Sequence, residues 1–207
     1  MSNAHELQLY ARIAGTYTLG PGFRYAIWVQ GCPFRCIGCM TPDSQPFQGG
    51  EILSVDALAT SILNTDNLEG LTVSGGEPFT QAEGLALLIR KVRQQRDVGV
   101  IVYTGYTLSH LHNKANNDKG IAELLRQTDL LIDGLYVERY NTGEPLRGSS
   151  NQQLQQLTDR YQTAMTIYEP NQARQVEIHL TERTAMLVGI PSIQQTALWQ
   201  GFTKENL

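Results

Sequence analysis

No apolar run in this chain approaches the about 20 residues that cross a membrane as a helix. The N-terminus does not pair a basic segment with an apolar one, so no secretory leader is read there. Basic residues are few: 16 Lys and Arg stand against 20 Asp and Glu, the net charge is −4, and no Lys/Arg block occurs. Such a balance gives nucleic acid no electrostatic footprint. Repeats and low-complexity tracts are absent. Cysteine is scarce, at three in 207 residues. Three thiols cannot all pair, and a chain this long buries a core without disulfide staples. The expected setting is a reducing cytoplasm, which keeps thiols free.

All three cysteines fall within eight residues, Cys32-Pro33-Phe34-Arg35-Cys36-Ile37-Gly38-Cys39. Spacings of this kind let three sulfurs serve one centre, and thiolates suit zinc, copper(I) or an iron–sulfur cluster. Ordinary clusters take four cysteines, and no fourth exists here. A [4Fe–4S] cluster on three thiolates keeps one iron open, and an open position is what a catalytic metal needs. The alternative is a structural zinc site completed by His110 or His112. Structural zinc prefers two separated ligand pairs, which this chain lacks.

The pattern along the chain alternates between strand and helix. Tyr25–Gln30 reads as a first strand running into the cysteine loop. Ser54 precedes Val55, Leu58, Ala59 and Ile62 at helical spacing and is a candidate N-cap. Leu71–Val73 reads as a strand ended by Gly75-Gly76, and Thr80-Gln81-Ala82-Glu83 has capping-box form before a helix through Val92. Val98–Thr104 and Leu130–Val137 read as strands, with a helix around Ile121–Leu125 between them. Ser150–Tyr161 is expected to be helical and Ala164–Tyr168 extended. Val176–Leu180 and Ala185–Ile190 suggest a hairpin. This alternation predicts an α/β fold with a parallel sheet whose sites lie at the C-terminal strand ends.

Several motifs fall on that rim. In Ser74-Gly75-Gly76-Glu77-Pro78 the glycines permit close backbone approach to a ligand's amine and carboxylate; a plain strand-to-helix loop is the blander reading. Asp133, within the apolar run Leu130–Gly134, is expected at the rim or paired, because a bare buried carboxylate is costly. Arg147–Gln152 reads as a helix start with a Ser149 or Ser150 cap, or as a polar surface for a ligand or partner.

Taken together, Cys32-x-x-x-Cys36-x-x-Cys39 and Gly75-Gly76-Glu77-Pro78 resemble the radical S-adenosylmethionine (SAM) superfamily. Further stretches are similar to the anaerobic ribonucleotide reductase activating branch: Gly20–Arg24, Val102–Tyr106, Leu131–Gly134 and Arg147–Gln152, in order from about residue 18 to about 160. Met40-Thr41 departs from the Tyr-Asn common in that branch. The resemblance implies an incomplete (βα) barrel of parallel strands with helices outside, spanning residues 1–170, and a C-terminal extension, 171–207. It implies that Cys32, Cys36 and Cys39 hold [4Fe–4S], and that Ser74, Gly75, Gly76, Glu77, Thr104 and Asp133 bind SAM. Arg24, Arg147, Ser149 and Asn151 would serve the reaction mouth. The implied activity is reductive cleavage of SAM to a 5′-deoxyadenosyl radical. That radical would install a glycyl radical on a partner enzyme, with a flavodoxin or ferredoxin as electron donor. The alternatives are a radical SAM enzyme acting on a small molecule or peptide, and a non-catalytic iron–sulfur or zinc module. Gly76→Val is expected to weaken SAM binding and leave iron content near normal.

Overall fold

The computed structural model describes residues 5–168, 174–180 and 185–206. Its main sheet has seven strands: β1 (Glu6–Thr16), β2 (Arg24–Val29), β3 (Glu51–Ser54), β4 (Gly70–Gly75), β5 (Gly99–Thr104), β6 (Leu130–Asp133) and β7 (Gln153–Gln156). Their order is β3-β1-β2-β4-β5-β6-β7. The central β2, β4, β5 and β6 are parallel. The flanking pairs β1–β2, β1–β3 and β6–β7 are antiparallel. The sheet is therefore mixed, parallel only in its middle.

Helices α1 (Val55–Leu63), α2 (Ala82–Arg93), α3 (Leu108–Ala115) and α4 (Lys119–Gln127) cover one face. Strand alternation explains this arrangement. Ile27, Val29, Leu71, Val73, Val100, Val102 and Leu131 share a core with Leu58, Ile62, Leu85, Leu88 and Leu124 of the helices. Residues of opposite parity face inward. Ala26 and Trp28 pack with Leu19, Val188 and Ile190, while Ile101, Leu130 and Ile132 pack with Leu146 and Tyr161. Ser54 caps α1 as expected, its hydroxyl accepting from Ala57 N at 3.1 Å.

The expected hairpin is present as β8 (Val176–Leu180) and β9 (Ala185–Gly189), followed by α5 (Ile193–Asn206). Its Val188 is fully buried against the inner face of the sheet. The boundary drawn at residue 171 lies outside the described residues.

Several local expectations are corrected. Tyr25–Gln30 does not hold the first strand, because β1 precedes it. A bulge at Tyr10 turns the chain over: Leu9 opposes Val29 but Ala11 already opposes Trp28. Leu7 and Leu9 thus face the helices, while Ala11 and Ile13 face inward. The capping box at Thr80 does not form. Gln81 is the N-cap of α2 but its side chain makes no capping bond to the helix, and the Thr80 hydroxyl instead donates to Glu77 O at 2.7 Å. The helix expected over Ser150–Tyr161 is replaced by β7, whose Leu154 lies opposite Ile132; the open edge of β6 supplies the pairing that local spacing could not show. Ala164–Ile167 is a 3₁₀ turn and not a strand, with Ala164 and Met165 packed on the inner cluster. β6 stops at Asp133 because Gly134 takes φ +106° and turns the chain.

Candidate active site at the cysteine cleft

The cysteine loop leaves the C-terminal end of β2 and is braced from below. Gly31 N donates to Ser44 O (2.8 Å) and Cys32 N to Gln45 O (2.9 Å). The Gln30 amide reaches Asp43 O and Pro46 O at 3.1 and 2.6 Å. Phe34 lies over Gly105 and packs edge-on against Tyr106, with centroids 4.8 Å apart. Cys32, Cys36 and Cys39 are free, half-buried thiols. All three line one cleft enclosing about 900 Å³ of empty space, part of it open to solvent. Burial, the largest cause, pushes the Cys32 thiol up to about 11, with Glu77 and the other two cysteines adding to the rise. Cys36 is raised by burial and then by Cys39.

The same cleft is lined by Ser74, Gly75, Gly76, Glu77, Thr104 and Gly105. Gly75 has φ +100°, and a Cβ on it would meet Val29 N at 2.5 Å. Gly76 N donates to Val29 O (2.7 Å) and Glu77 N to Gly31 O (2.8 Å). The glycine pair therefore presses its backbone against the start of the cysteine loop.

Glu77 is fully buried. Its carboxylate accepts from Phe79 N (2.9 Å), Gly105 N (2.8 Å) and the Thr104 hydroxyl (2.9 and 3.0 Å to the two oxygens). Burial pushes this carboxyl up to about 7, against the downward pull of those donors. The two side chains thus clamp the exit of β4 to the end of β5.

Other expected site residues fall elsewhere. Asp133 has the parity of Leu131 and faces α3, where Oδ2 accepts from Leu108 N at 2.6 Å; it is not among the cleft-lining residues. Arg24 lies at the opposite end of the strands from the cysteines, wholly buried. Its guanidinium donates to Thr72 Oγ1, Pro21 O, Tyr161 Oη, Leu71 O and Gly99 O. It staples the strand starts and cannot serve a mouth at their far ends. The Arg147–Gln152 stretch is a loop folded around the Gln152 amide, which accepts from Gly148 N and Ser149 N and donates to Gly134 O. Ser149 Oγ accepts from Val137 N, and Asn151 Nδ2 donates to Leu135 O. Arg147 donates to Gln152 O. These residues brace the 134–137 turn, and Gly134, Tyr136, Gly148 and Gln152 of this region reach the cleft. Trp28, Met40, Tyr103 and Ile190 also line it. Strand parity points Trp28 and Tyr103 inward once the helix face is known, whereas no local signal marks Ile190.

The donor chemistry fits a cluster. Among the described residues, no three His, Cys, Asp or Glu side chains converge tightly enough to hold a single metal ion. Thiolates that each take a separate iron of a cluster need no such convergence.

Residues 18–155 match the family described as 4Fe-4S single cluster domain. Over 147 residues the chain is 31% identical to the anaerobic ribonucleoside-triphosphate reductase-activating protein of Vibrio cholerae, covering 67% of this chain and 91% of that protein. The chain belongs to the radical SAM activase family. It is also 28% identical over 145 residues to the phage T4 protein of the same description, covering 68% and 88% of the two chains. The pyruvate formate-lyase-activating enzyme of Clostridium pasteurianum is 30% identical over 139 residues, covering 62% of this activase and 54% of that enzyme. The cofactors are a [4Fe–4S] cluster and SAM. The hairpin β8–β9 lies beyond the residues that the family match covers. Among the described residues no helix is long and apolar enough to cross a membrane.

Proposed function

We propose that this activase installs a glycyl radical on a partner enzyme of the anaerobic ribonucleotide reductase type. The observation that carries the reading is the meeting of every cysteine in the chain with the Gly75-Gly76 backbone in one open cleft. Cys32, Cys36 and Cys39 would hold the cluster, and the Ser74–Glu77 backbone would receive the amine and carboxylate of SAM. When bound and reduced, by a flavodoxin- or ferredoxin-type donor, these cofactors supply a 5′-deoxyadenosyl radical that takes a hydrogen atom from the partner glycine. The protein's own part is to orient and shield. Glu77 and Thr104 fix the loop, Phe34 and Tyr106 brace the rim, and Trp28 and Ile190 exclude water from the inner end. The strand order supports the implied incomplete barrel, with the hairpin of the C-terminal extension lying against its inner side. Free thiols fit a cytoplasmic location.

The test is anaerobic reconstitution with iron and sulfide, then SAM and a reductant. Deoxyadenosine should form, and a glycyl radical should appear by electron spin resonance when a candidate glycyl radical enzyme is added. Cys36→Ala should abolish both. Deoxyadenosine from the Cys36→Ala protein would refute the site, and turnover of a small molecule without any glycyl radical would refute the partner.

A further inference from the structure

Trp28, Tyr103 and Ile190 give the cleft an apolar floor, and the cysteine loop and the Gly75-Gly76 turn meet at its rim. The two loops are joined at the start of the cysteine segment, where Glu77 N donates to Gly31 O at 2.8 Å. They are joined again just past its end. Thr41, two residues after Cys39, lines the cleft, and its hydroxyl donates to Gly75 O at 3.3 Å.

Thr41 is itself held. Ser44 is wholly buried, and its hydroxyl and its backbone N donate to Thr41 O at 2.7 and 3.0 Å. Ser44 O in turn accepts from Gly31 N at 2.8 Å. These bonds close a ring that runs from Gly31 through Ser44 and Thr41 to Gly75, and back through Glu77 to Gly31. The Ser44 hydroxyl lies nearer to Thr41 O than to Thr41 Oγ1, which is 3.2 Å away, so the Thr41 hydroxyl remains the donor to Gly75. At 3.3 Å that bond is the longest of the ring and long for a hydroxyl donor. The peptide between Gly75 and Gly76 is engaged on both sides, since Gly76 N donates to Val29 O at 2.7 Å. Thr41 therefore straps the glycine turn from the side of the third cysteine.

We infer that Thr41 is a positioning residue for SAM, its hydroxyl holding the Gly75 carbonyl and with it the spacing between the third cysteine and the glycine turn. This rests on the reading of the cleft as the SAM site. A ligand that meets both a cluster on Cys39 and the backbone of Gly75-Gly76 is sensitive to that spacing. With the strap cut, the turn must be ordered as the ligand binds, and affinity falls by the worth of one hydrogen bond. The cysteine loop keeps its own braces from Gly31 N to Ser44 O, from Cys32 N to Gln45 O, and from the Gln30 amide to Asp43 O and Pro46 O, so cluster uptake does not change.

The experiment compares wild type, Thr41→Val and Thr41→Ser after anaerobic reconstitution. Valine keeps the shape and removes the donor; serine keeps the donor. Iron and sulfide per chain are measured first, with the electron spin resonance spectrum of the reduced cluster without SAM. SAM is then titrated calorimetrically into the oxidised, cluster-loaded proteins without reductant, so that it binds and is not consumed. Thr41→Val should match wild type in iron and in spectrum and bind SAM about threefold to tenfold more weakly. Thr41→Ser should stay close to wild type in all three. Wild-type SAM affinity in Thr41→Val would overturn the inference. So would Thr41→Ser binding as weakly as Thr41→Val, since side-chain shape and not the hydroxyl would then matter. Loss of iron from Thr41→Val would also overturn it, because the hydroxyl would then serve the cysteine loop itself. If wild type with a full cluster fails to bind SAM, the assignment of the cleft falls, and this inference falls with it.

Discussion

Replacing Gly76 by alanine should disturb the cysteine loop as much as the proposed SAM site. A Cβ at residue 76 would stand 2.2 Å from Gly31 O, 2.8 Å from its carbonyl carbon and 3.0 Å from its nitrogen. Ordinary contact begins near 3.4 Å, so the two backbones must part by about 1.2 Å. The obstacle is backbone on both sides, and no rotamer relieves it. Gly31 is also the acceptor for Glu77 N and the donor to Ser44 O, and Cys32 follows it directly. The displacement is therefore handed to Cys32, the first of the proposed cluster ligands. Overpacking of this kind costs about 1–3 kcal/mol, a fraction of the about 5–15 kcal/mol that holds a domain together. Gly76→Ala should consequently fold, bind SAM poorly and also take up less iron. The structure thereby replaces the sequence expectation of near-normal iron content. Iron and sulfide per chain after reconstitution, with SAM titration and a urea midpoint on the same sample, test this directly. Gly201→Ala is the control, because a Cβ there meets nothing within 4 Å and lies in a helix. That change should stabilise by about 1 kcal/mol or less and leave iron untouched. A Gly76→Ala protein with full iron and wild-type SAM affinity would show that the two loops are not mechanically joined.

The Glu77 carboxyl, raised to about 7 from 4.5, holds a proton in the folded chain that the unfolded chain has released. Its contribution to stability is therefore complete below about pH 4.5 and lost as pH rises through about 7, with an upper bound of about 3 kcal/mol. Glu77→Gln should flatten that slope in urea midpoints taken from pH 5 to pH 8, and an unchanged slope would assign it to another group. Arg24→Leu should lower stability by more than about 3 kcal/mol, since it strands four buried acceptors and a half-buried fifth. It should leave deoxyadenosine formation per folded molecule near wild type, and a midpoint unchanged within error would contradict the staple role.

Short-range signals were readable without coordinates. Three cysteines within eight residues place their own loop, and Ser54 ahead of Val55, Leu58 and Ile62 declares its own helix. The nearly continuous apolar run of β5 likewise announces a strand covered on both faces. Distant partners decided the rest. The tie between Arg24 and Tyr161 spans 137 positions, so an arginine beside a glycine turn gave no hint of burial. Gln153–Gln156 became a strand because β6 offered an edge, and Thr80 missed its cap because Glu77 O took its hydroxyl. The bulge at Tyr10 reversed which face the first strand shows. The sequence by itself determined the chemistry, because the thiols proposed as ligands and the glycines of the second loop are types that few other residues can replace. Only the tertiary structure decided which neighbours form the floor, because Trp28, Tyr103 and Ile190 come together through strand parity and a hairpin folded back from the far end of the chain.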